Sequence, residues 1–285
     1  MADARVGLVL GAGGATGAAF HRGVLAALQE VRGLHGGGAL LIVGTSAGSL
    51  VAARLRRPDV AGVARVEVPE EPLLRRLPVL TPWLAAARRP WQARTGVLAA
   101  SLLPAGTRPT EAFAAGIRRQ YGTGWPGLPT YVVAVRRRDG RRVVFGRDLV
   151  PSDGMAAAVA ASCAIPGYFR PVTVDGEAYV DGGVHSPTNA DLLVGTDLDV
   201  VIVSSPMSVA AGRQRPSVEL PLRLGWHRRL VRELRPVRAT GAEVIVVEPA
   251  GAALAALGLN SMDASSSDRV EATAHELATR LLHAV

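Results

Sequence analysis

One pentapeptide of the sequence has the composition of a nucleophile turn. Residues 44–48 read Gly-Thr-Ser-Ala-Gly and follow the short apolar run 40–43, and a helical pattern then continues to Arg57. A serine in a tight strand–turn–helix connection needs small neighbours, here Gly44 and Gly48. The N-terminus of the helix favours developing negative charge. The pattern therefore makes Ser46 a candidate nucleophile, whereas the alternative is a serine that only caps a helix.

A glycine-rich connection lies near the N-terminus. The apolar strand pattern 5–10 runs into residues 11–17, Gly-Ala-Gly-Gly-Ala-Thr-Gly, and then into a helix. Backbone N–H groups in such a loop suit an anion, either a dinucleotide pyrophosphate or the oxyanion of an ester under attack. Gly11, Gly13 and Gly17 imitate the dinucleotide fingerprint, but the acidic residue expected about 20 residues on is missing. The oxyanion interpretation is therefore favoured.

An acidic candidate follows a predicted hairpin. Residues 171–180 contain an Asp-Gly turn between two strand patterns, and they lead into Asp181, Gly182 and Gly183. The other Asp-Gly pairs of the chain read as turns. Only Asp181 follows an apolar strand and precedes two glycines, so a strand end presents it. The alternative is another carboxylate in a loop.

The base that activates Ser46 is restricted by composition. All 32 basic residues are arginine, which excludes a lysine base, a Schiff-base lysine and a phosphate-loop lysine. A Ser-His-Asp triad in α/β-hydrolase order needs a histidine after the acid, and His185 is too close to Asp181 to bridge it to the serine. The other histidines are expected to be incidental: His21, His35, His227, His275 and His283. A carboxylate remains, and its ordinary pKa near 4 makes it a weak base unless the site is desolvated.

The three motifs, in this order, resemble the patatin-like phospholipase family. Residues 161–167 (Ala-Ser-Cys-Ala-Ile-Pro-Gly) extend the resemblance, which covers about residues 5–205. It implies a three-layer α/β/α fold with a mainly parallel central sheet. It also implies hydrolysis of lipid acyl esters, by a phospholipase A, lysophospholipase or carboxylesterase that uses a Ser-Asp dyad and an acyl-enzyme.

The resemblance also implies a role for each matching position. Ser46 would be the nucleophile and Asp181 the general base, and backbone N–H groups of Gly13 and Gly14, with Ala47, would form the oxyanion hole. The family loop usually has three glycines followed by a basic residue and a glycine. Here Ala12 replaces one glycine and Thr16 replaces the basic residue.

The missing cation would weaken the ordering of the loop unless Arg22, on the next helix, replaces it. A non-catalytic lipid-binding or scaffold protein of the same fold is therefore the alternative function.

Strand and helix patterns alternate along the chain, which favours a mainly parallel sheet covered on both faces. Because no linker composition interrupts the 285 residues, we expect one domain over 1–285, in which 206–285 completes the sheet and the helical layers. The stretch 58–128 is punctuated by prolines and predicts helices over one sheet face, with a cap over the serine as the alternative. Later patterns predict strands at 130–135, 199–204 and 243–247 and helices at 155–164, 218–238 and 263–284.

Composition limits the partners. The net charge of +8 favours anionic surfaces, and with 4% aromatic residues and no recognisable binding module we expect no nucleic-acid partner. The arginine-rich helix 218–238 is a candidate for contact with anionic membranes, and its alternative is a solvent-exposed face. One cysteine, Cys163, and dispersed histidines predict no disulfide framework, no metal and no other cofactor. The first residues lack a signal-peptide pattern and no stretch reaches the ~20 apolar residues of a spanning helix, so we expect a cytoplasmic protein with peripheral membrane contact.

Overall fold

The structure is a computed structural model that describes residues 4–57, 106, 110–122, 124–210, 212 and 217–284. The predictions of helices or a cap within 58–105 fall outside the described residues. Within the described part the chain forms one eight-stranded sheet. The strands are β1 (Val6–Leu10), β2 (Leu41–Thr45), β3 (Thr130–Arg136), β4 (Arg142–Phe145), β5 (Val172–Val174), β6 (Glu177–Asp181), β7 (Val200–Ser204) and β8 (Glu243–Val247).

The centre of the sheet is parallel, as predicted. Strands β3, β2, β1, β7 and β8 lie side by side in that order and pair in parallel, while β4, β5 and β6 pair antiparallel at the β3 side. The strands of the parallel part are short apolar runs because both of their faces are buried. In β1, Leu8 and Leu10 contact one core cluster and Val9 contacts the other.

Helices cover both faces of this sheet. The described helices are α1 (Gly14–Arg32), α2 (Ala47–Leu55), α3 (Glu111–Tyr121), α4 (Gly154–Ser162), α5 (Leu220–Arg238), α6 (Gly251–Leu257) and α7 (Ser267–Ala284). Residues of α1, α2, α6 and α7 share the first core cluster with β1, whereas α5 packs on the opposite face. The predicted three-layer α/β/α arrangement is therefore confirmed, and the single domain over 1–285 stays a prediction.

The later predicted elements form where the patterns place them. The strands at 199–204 and 243–247 and the helix at 218–238 are confirmed to within two residues at each end. The last helix begins at Ser267 rather than Asp263, because the Asp263 carboxylate accepts a hydrogen bond from Ser265 N and starts a short 3₁₀ turn over 264–266. None of the described helices combines the length and apolar character that crossing a bilayer requires.

Strand β3 has an unusual set of partners. Strand β2 pairs with its first half, with Thr45 opposite Val133, and β6 pairs with its second half, with Asp181 opposite Ala134. Both strands lie on the edge of β3 that faces away from β4, because β4 overlaps each of them in register. Strands β2 and β6 therefore run towards each other along one edge of β3, and their C-terminal ends meet there.

The packing of α1 on α7 gives a test of the first helical layer. A Cβ added at Gly23 of α1 would overlap the backbone of Glu271 and lie 2.9 Å from Ala274 Cβ, whereas nothing lies within 4 Å of one added at Gly225 of α5. We expect Gly23→Ala to lower the free energy of unfolding by about 1–3 kcal/mol through overpacking. Gly225→Ala, the matched control, should raise it by about 0.5–1 kcal/mol because alanine favours a helix. Urea unfolding measures both, and a stabilising Gly23→Ala would contradict this packing.

Candidate active site

The meeting of two strand ends brings the sequence-predicted residues together. Ser46 follows Thr45, the last residue of β2, and Asp181 is the last residue of β6. Their strand partners, Val133 and Ala134, are neighbours on β3. Both candidate side chains are removed from solvent, since Ser46 is 3% exposed and Asp181 is 0% exposed. Two residues that are 135 positions apart in sequence therefore share one buried site.

The backbone of Ser46 has the geometry of a strained turn. Its φ of 53° and ψ of −121° lie outside the regions that an ordinary residue prefers, and it immediately precedes α2. A Cβ on Gly44 would lie 2.7 Å from Ser49 Cα, and one on Gly48 would lie 2.8 Å from Gly11 O. The small residues predicted on each side of the serine are therefore required by close backbone packing.

Hydrogen bonds from buried serines fix this turn. Ser46 N donates to Ser162 Oγ at 2.9 Å, and Ser162 Oγ donates to Val133 O at 2.6 Å. Ser49 Oγ donates to Ser46 O at 2.6 Å. The sequence analysis included Ser162 only as part of the 161–167 motif, and its role in orienting the turn emerges from the tertiary structure.

Asp181 is a buried carboxylate with one free oxygen. Oδ1 accepts a hydrogen bond from Gly183 N at 2.7 Å, whereas Oδ2 is buried and accepts no hydrogen bond from the described residues. Burial raises the pKa of Asp181 to about 7, and the nearby Ser46 hydroxyl and the Gly183 N–H act in the opposite direction. The desolvation that a carboxylate base requires is therefore present. The Ser46 hydroxyl does not make a hydrogen bond of standard geometry to Oδ2, and such contacts commonly tighten only when substrate is bound.

The glycine-rich loop lies against the serine turn and leaves N–H groups unused. Gly11 N donates to Ser204 O and Ala12 N donates to Pro187 O, at 3.0 and 2.7 Å. By contrast, no acceptor among the described residues takes a hydrogen bond from the N–H groups of Gly13, Gly14 or Ala47. Gly14 has a φ of 62°, so its backbone conformation suits glycine. Free amides at the N-termini of α1 and α2 are suitable donors to an oxyanion.

His21 anchors this loop from behind. Its Nε2 lies 2.7 Å from Gly11 O and its Nδ1 lies 2.7 Å from Ser204 Oγ. A carbonyl can only accept, so Nε2 carries the proton and the Ser204 hydroxyl donates to Nδ1. Burial lowers the pKa of His21 to about 4, so the ring is neutral at pH 7. This residue was predicted to be incidental, and within the described chain it makes no hydrogen bond to Ser46 or Asp181; its bonds show a structural role that the sequence did not indicate.

The cation missing from the loop is not replaced by Arg22. Arg22 Nε donates to Glu271 Oε2 of α7 at 2.7 Å, so this side chain binds α7 and not the loop. Thr16, at the position of the family's basic residue, donates its backbone N–H to Ser261 O at 3.1 Å. The loop is thus ordered by main-chain contacts, and the suggested replacement of the missing cation by Arg22 is not what the structure shows.

Two further titratable groups, His185 and Cys163, have shifted pKa values. His185 is partly buried, and burial lowers its pKa to about 3. Cys163 lies near the site, with Sγ 3.8 Å from Ser49 Oγ, and burial together with the negative charge of Asp181 raises the pKa of its thiol. The described residues include no group of three histidine, cysteine, aspartate or glutamate side chains arranged to hold a metal ion.

A comparison with known protein families covers the same motifs. The model of the family described as "Patatin-like phospholipase" matches residues 8–194, which include the glycine-rich loop, Ser46 and Asp181. The chain belongs to this family. Uncharacterised NTE family proteins of Mycobacterium bovis and Mycobacterium tuberculosis are 32% identical to this patatin-like chain over 231 residues, which is 80% of its length. The chain spans 56% of the length of these curated relatives.

Two solved structures are similar to this patatin-like protein at low identity. VipD from Legionella pneumophila aligns with 98% of the chain and 67% of its own, with a TM-score of 0.48 and 13% identity. The type III effector protein ExoU aligns with 99% of the chain and 53% of its own, with a TM-score of 0.42 and 16% identity.

The buried carboxylate predicts a pH-dependent effect on stability. The folded pKa of Asp181, about 7, is above the unfolded value of about 4, so folded protein binds the proton more tightly and loses stability as pH rises between them. Asp181→Asn removes this loss. We expect this variant to have a higher free energy of unfolding than wild type at about pH 8.5. The difference between variant and wild type should be larger there than at about pH 4, by up to roughly 4 kcal/mol.

Urea unfolding at the two pH values measures this difference. Asp153→Asn is the matched control, because Asp153 is exposed in its ion pair with Arg118 and should show no comparable change with pH. An Asp181→Asn effect of equal size at both pH values would show that the carboxylate has no raised pKa in the folded state.

Proposed function

We propose that this chain hydrolyses carboxylic esters of lipids with Ser46 as nucleophile and Asp181 as general base. The observation that supports this most strongly is the buried Oδ2 of Asp181, which accepts no hydrogen bond from the described residues, in a site shared with a strained serine. A base with a pKa near the working pH takes and returns a proton efficiently. Family membership supports the same reaction class.

The proposed reaction has two steps. Ser46 Oγ attacks the carbonyl carbon while its proton moves to Asp181 Oδ2, and the resulting tetrahedral intermediate releases the alcohol, which receives that proton. The acyl group is then bonded to Ser46 Oγ. Asp181 next takes a proton from water, the hydroxide attacks the acyl carbon, and Ser46 leaves with the proton from Asp181. The products are an alcohol and a carboxylic acid.

The oxyanion of each tetrahedral intermediate requires hydrogen-bond donors. The free N–H groups of Gly13 and Gly14, with that of Ala47, are proposed for this role because they lie at the N-termini of α1 and α2. Such donors are effective because they are oriented before the reaction starts. Close contact between the first turn of α2 and Gly11 O supports this arrangement of the serine and the loop.

The proposed substrate class is an acyl ester of a phospholipid, a lysophospholipid or a related lipid. The alternative function is a non-catalytic lipid-binding or scaffold protein, and Thr16 in place of a basic residue is the feature that favours it. Ordering of the loop by Ser261, Ser204 and Pro187 argues against that alternative, because the loop does not depend on the missing cation.

We also propose peripheral contact with anionic membranes through one face of α5. Arg228, Arg232, Arg235 and Arg238 are exposed on this helix, and none of them forms an ion pair with an acidic side chain in the described part of the chain. Val231, 45% exposed, lies among them. Uncompensated arginines beside an apolar residue suit a surface of anionic headgroups.

Turnover of p-nitrophenyl esters of increasing chain length tests the proposed dyad. At about pH 8.5, where Asp181 is ionised, we expect Ser46→Ala and Asp181→Asn each to lower kcat by roughly 10⁴-fold or more. A fluorophosphonate probe should label Ser46 in wild type and should not label Ser46→Ala. Ser265→Ala and Asp153→Asn, at exposed positions, should behave as wild type. An inert wild-type protein that still binds lipid would support the non-catalytic alternative.

Cosedimentation with vesicles tests the membrane contact. The double variant Arg228→Glu/Arg235→Glu should reduce binding to anionic vesicles by about tenfold or more, since each basic residue near such a surface contributes about 1 kcal/mol. Binding to neutral vesicles should be weak in both proteins. Equal binding of wild type and variant to anionic vesicles would exclude this face of α5.

A further inference from the structure

A cavity lies away from Ser46, between α1 and α2. It is a groove of about 840 Å³, bordered by the middle of α1, the turn over 35–38, the C-terminal half of α2 and residues 126–128. This volume is in the range of sites that bind small molecules. Ser46 precedes the first turn of α2 and Arg54 lies eight residues along the chain, so the helical rise separates them by about 12 Å. The groove is therefore distinct from the candidate active site.

The groove carries an excess of positive charge. Four arginines line it, and none of its described lining residues is acidic. Arg22 is compensated from outside by Glu271. The guanidinium groups of Arg54 and Arg56 have no carboxylate partner among the described residues. An anion that enters the groove therefore meets cationic donors that are not already neutralised.

Two of these arginines are partly removed from solvent and have no charged partner in the described part of the chain. Arg54 Nη1 is buried and makes no hydrogen bond within the described chain. Arg56 donates to Thr130 Oγ1, Gly37 O and Pro129 O, which are all neutral acceptors. Burial lowers the pKa of Arg56 to about 10, a value at which it remains charged at pH 7. A buried cationic nitrogen without a partner is costly unless a ligand supplies one.

Aliphatic side chains form part of the remaining lining of the groove, beside the polar side chains of Gln29 and His35. Leu25, Val51 and Leu55 contribute apolar surface from the two helices, and Leu128, 45% exposed, lies at one end. Phenylalanine, tyrosine and tryptophan are absent from the described lining residues, and His35 supplies the one aromatic ring among them. Cationic donors beside an aliphatic surface match an alkyl chain that ends in an anion.

We propose that this groove binds a single-chain lipid phosphate, with the phosphate on Arg54 and Arg56 and the alkyl chain along Leu25, Val51 and Leu55. Phosphate offers several charged acceptor oxygens to guanidinium donors, which bind it in planar, paired geometry. One chain with a phosphate fits the size of ligand that such a cavity accepts. The site does not depend on ester hydrolysis at Ser46.

Isothermal titration calorimetry with dodecyl phosphate below its micelle concentration tests the site. We expect dodecyl phosphate to bind at least tenfold more tightly than inorganic phosphate, and dodecyl maltoside, which is neutral, not to bind. Arg54→Gln should weaken binding of dodecyl phosphate by about tenfold or more, because it removes a charged donor at nearly constant size. Arg141→Gln, the matched control in the turn between β3 and β4, makes the same change in net charge at an exposed position outside the groove and should leave the affinity within about twofold.

A second variant covers the case in which Arg54→Gln does not fold. Gln29 is exposed in the groove, so Gln29→Glu adds a negative charge without disturbing the core and should also weaken binding. Hydrolysis of a short soluble ester should be unchanged in all three variants, which separates this site from the proposed reaction. The proposal is overturned if Arg54→Gln and Gln29→Glu bind dodecyl phosphate as wild type does, if inorganic phosphate binds equally well, or if only anionic vesicles bind.

Discussion

The candidate active site depends on two strands that share one edge of β3. A parallel strand, β2, and an antiparallel strand, β6, occupy successive halves of the same edge, so their C-terminal ends face each other. Any residue at these two ends is enclosed by the sheet and by the helices on both faces. Burial at this position costs little for a backbone whose hydrogen bonds are made, but it is costly for a charged carboxylate. Asp181 is placed there with Oδ1 bonded to Gly183 N and with no donor to Oδ2 among the described residues, and its raised pKa follows from that enclosure.

The glycine-rich loop must be fixed in place while its N–H groups stay available. Its amides can serve an oxyanion only if other groups fix the loop without using those amides. The contacts provide this: Ser204 O, Pro187 O and Ser261 O accept from Gly11, Ala12 and Thr16, while the N–H groups of Gly13 and Gly14 find no acceptor among the residues that the structure describes. Ser204 and Ser261 lie beyond residues 8–194, the segment that the family model matches. The C-terminal third of the chain therefore orders part of the candidate site.

Arginine serves several distinct purposes in a chain that has no lysine. Arg22 pairs with Glu271 and joins α1 to α7, whereas Arg223 and Arg229 pair with carboxylates one turn away along α5. On α5, other arginines face solvent. In the groove between α1 and α2, Arg54 and Arg56 are partly enclosed and have no acidic partner in the described part of the chain. The net charge of the sequence cannot distinguish these situations, because it counts a neutralised arginine and a desolvated one alike.

The sequence by itself determined that the central sheet is mainly parallel, and it supplied the three motifs and the candidate residues of the site. Apolar runs separated by helical patterns specify buried parallel strands, and small residues around Ser46 specify a turn that no larger side chain can enter. The local sequence pattern could not predict the hydrogen bonds between residues that lie far apart in the chain. The bonds of Ser162 to Ser46, of His21 to Gly11 and of Thr16 to Ser261 link residues of different elements, and Arg22 was assigned wrongly for this reason. Burial decided the rest: the sequence names a carboxylate at Asp181, but only its enclosure at the junction of β2 and β6 makes that carboxylate basic enough to accept a proton near neutral pH.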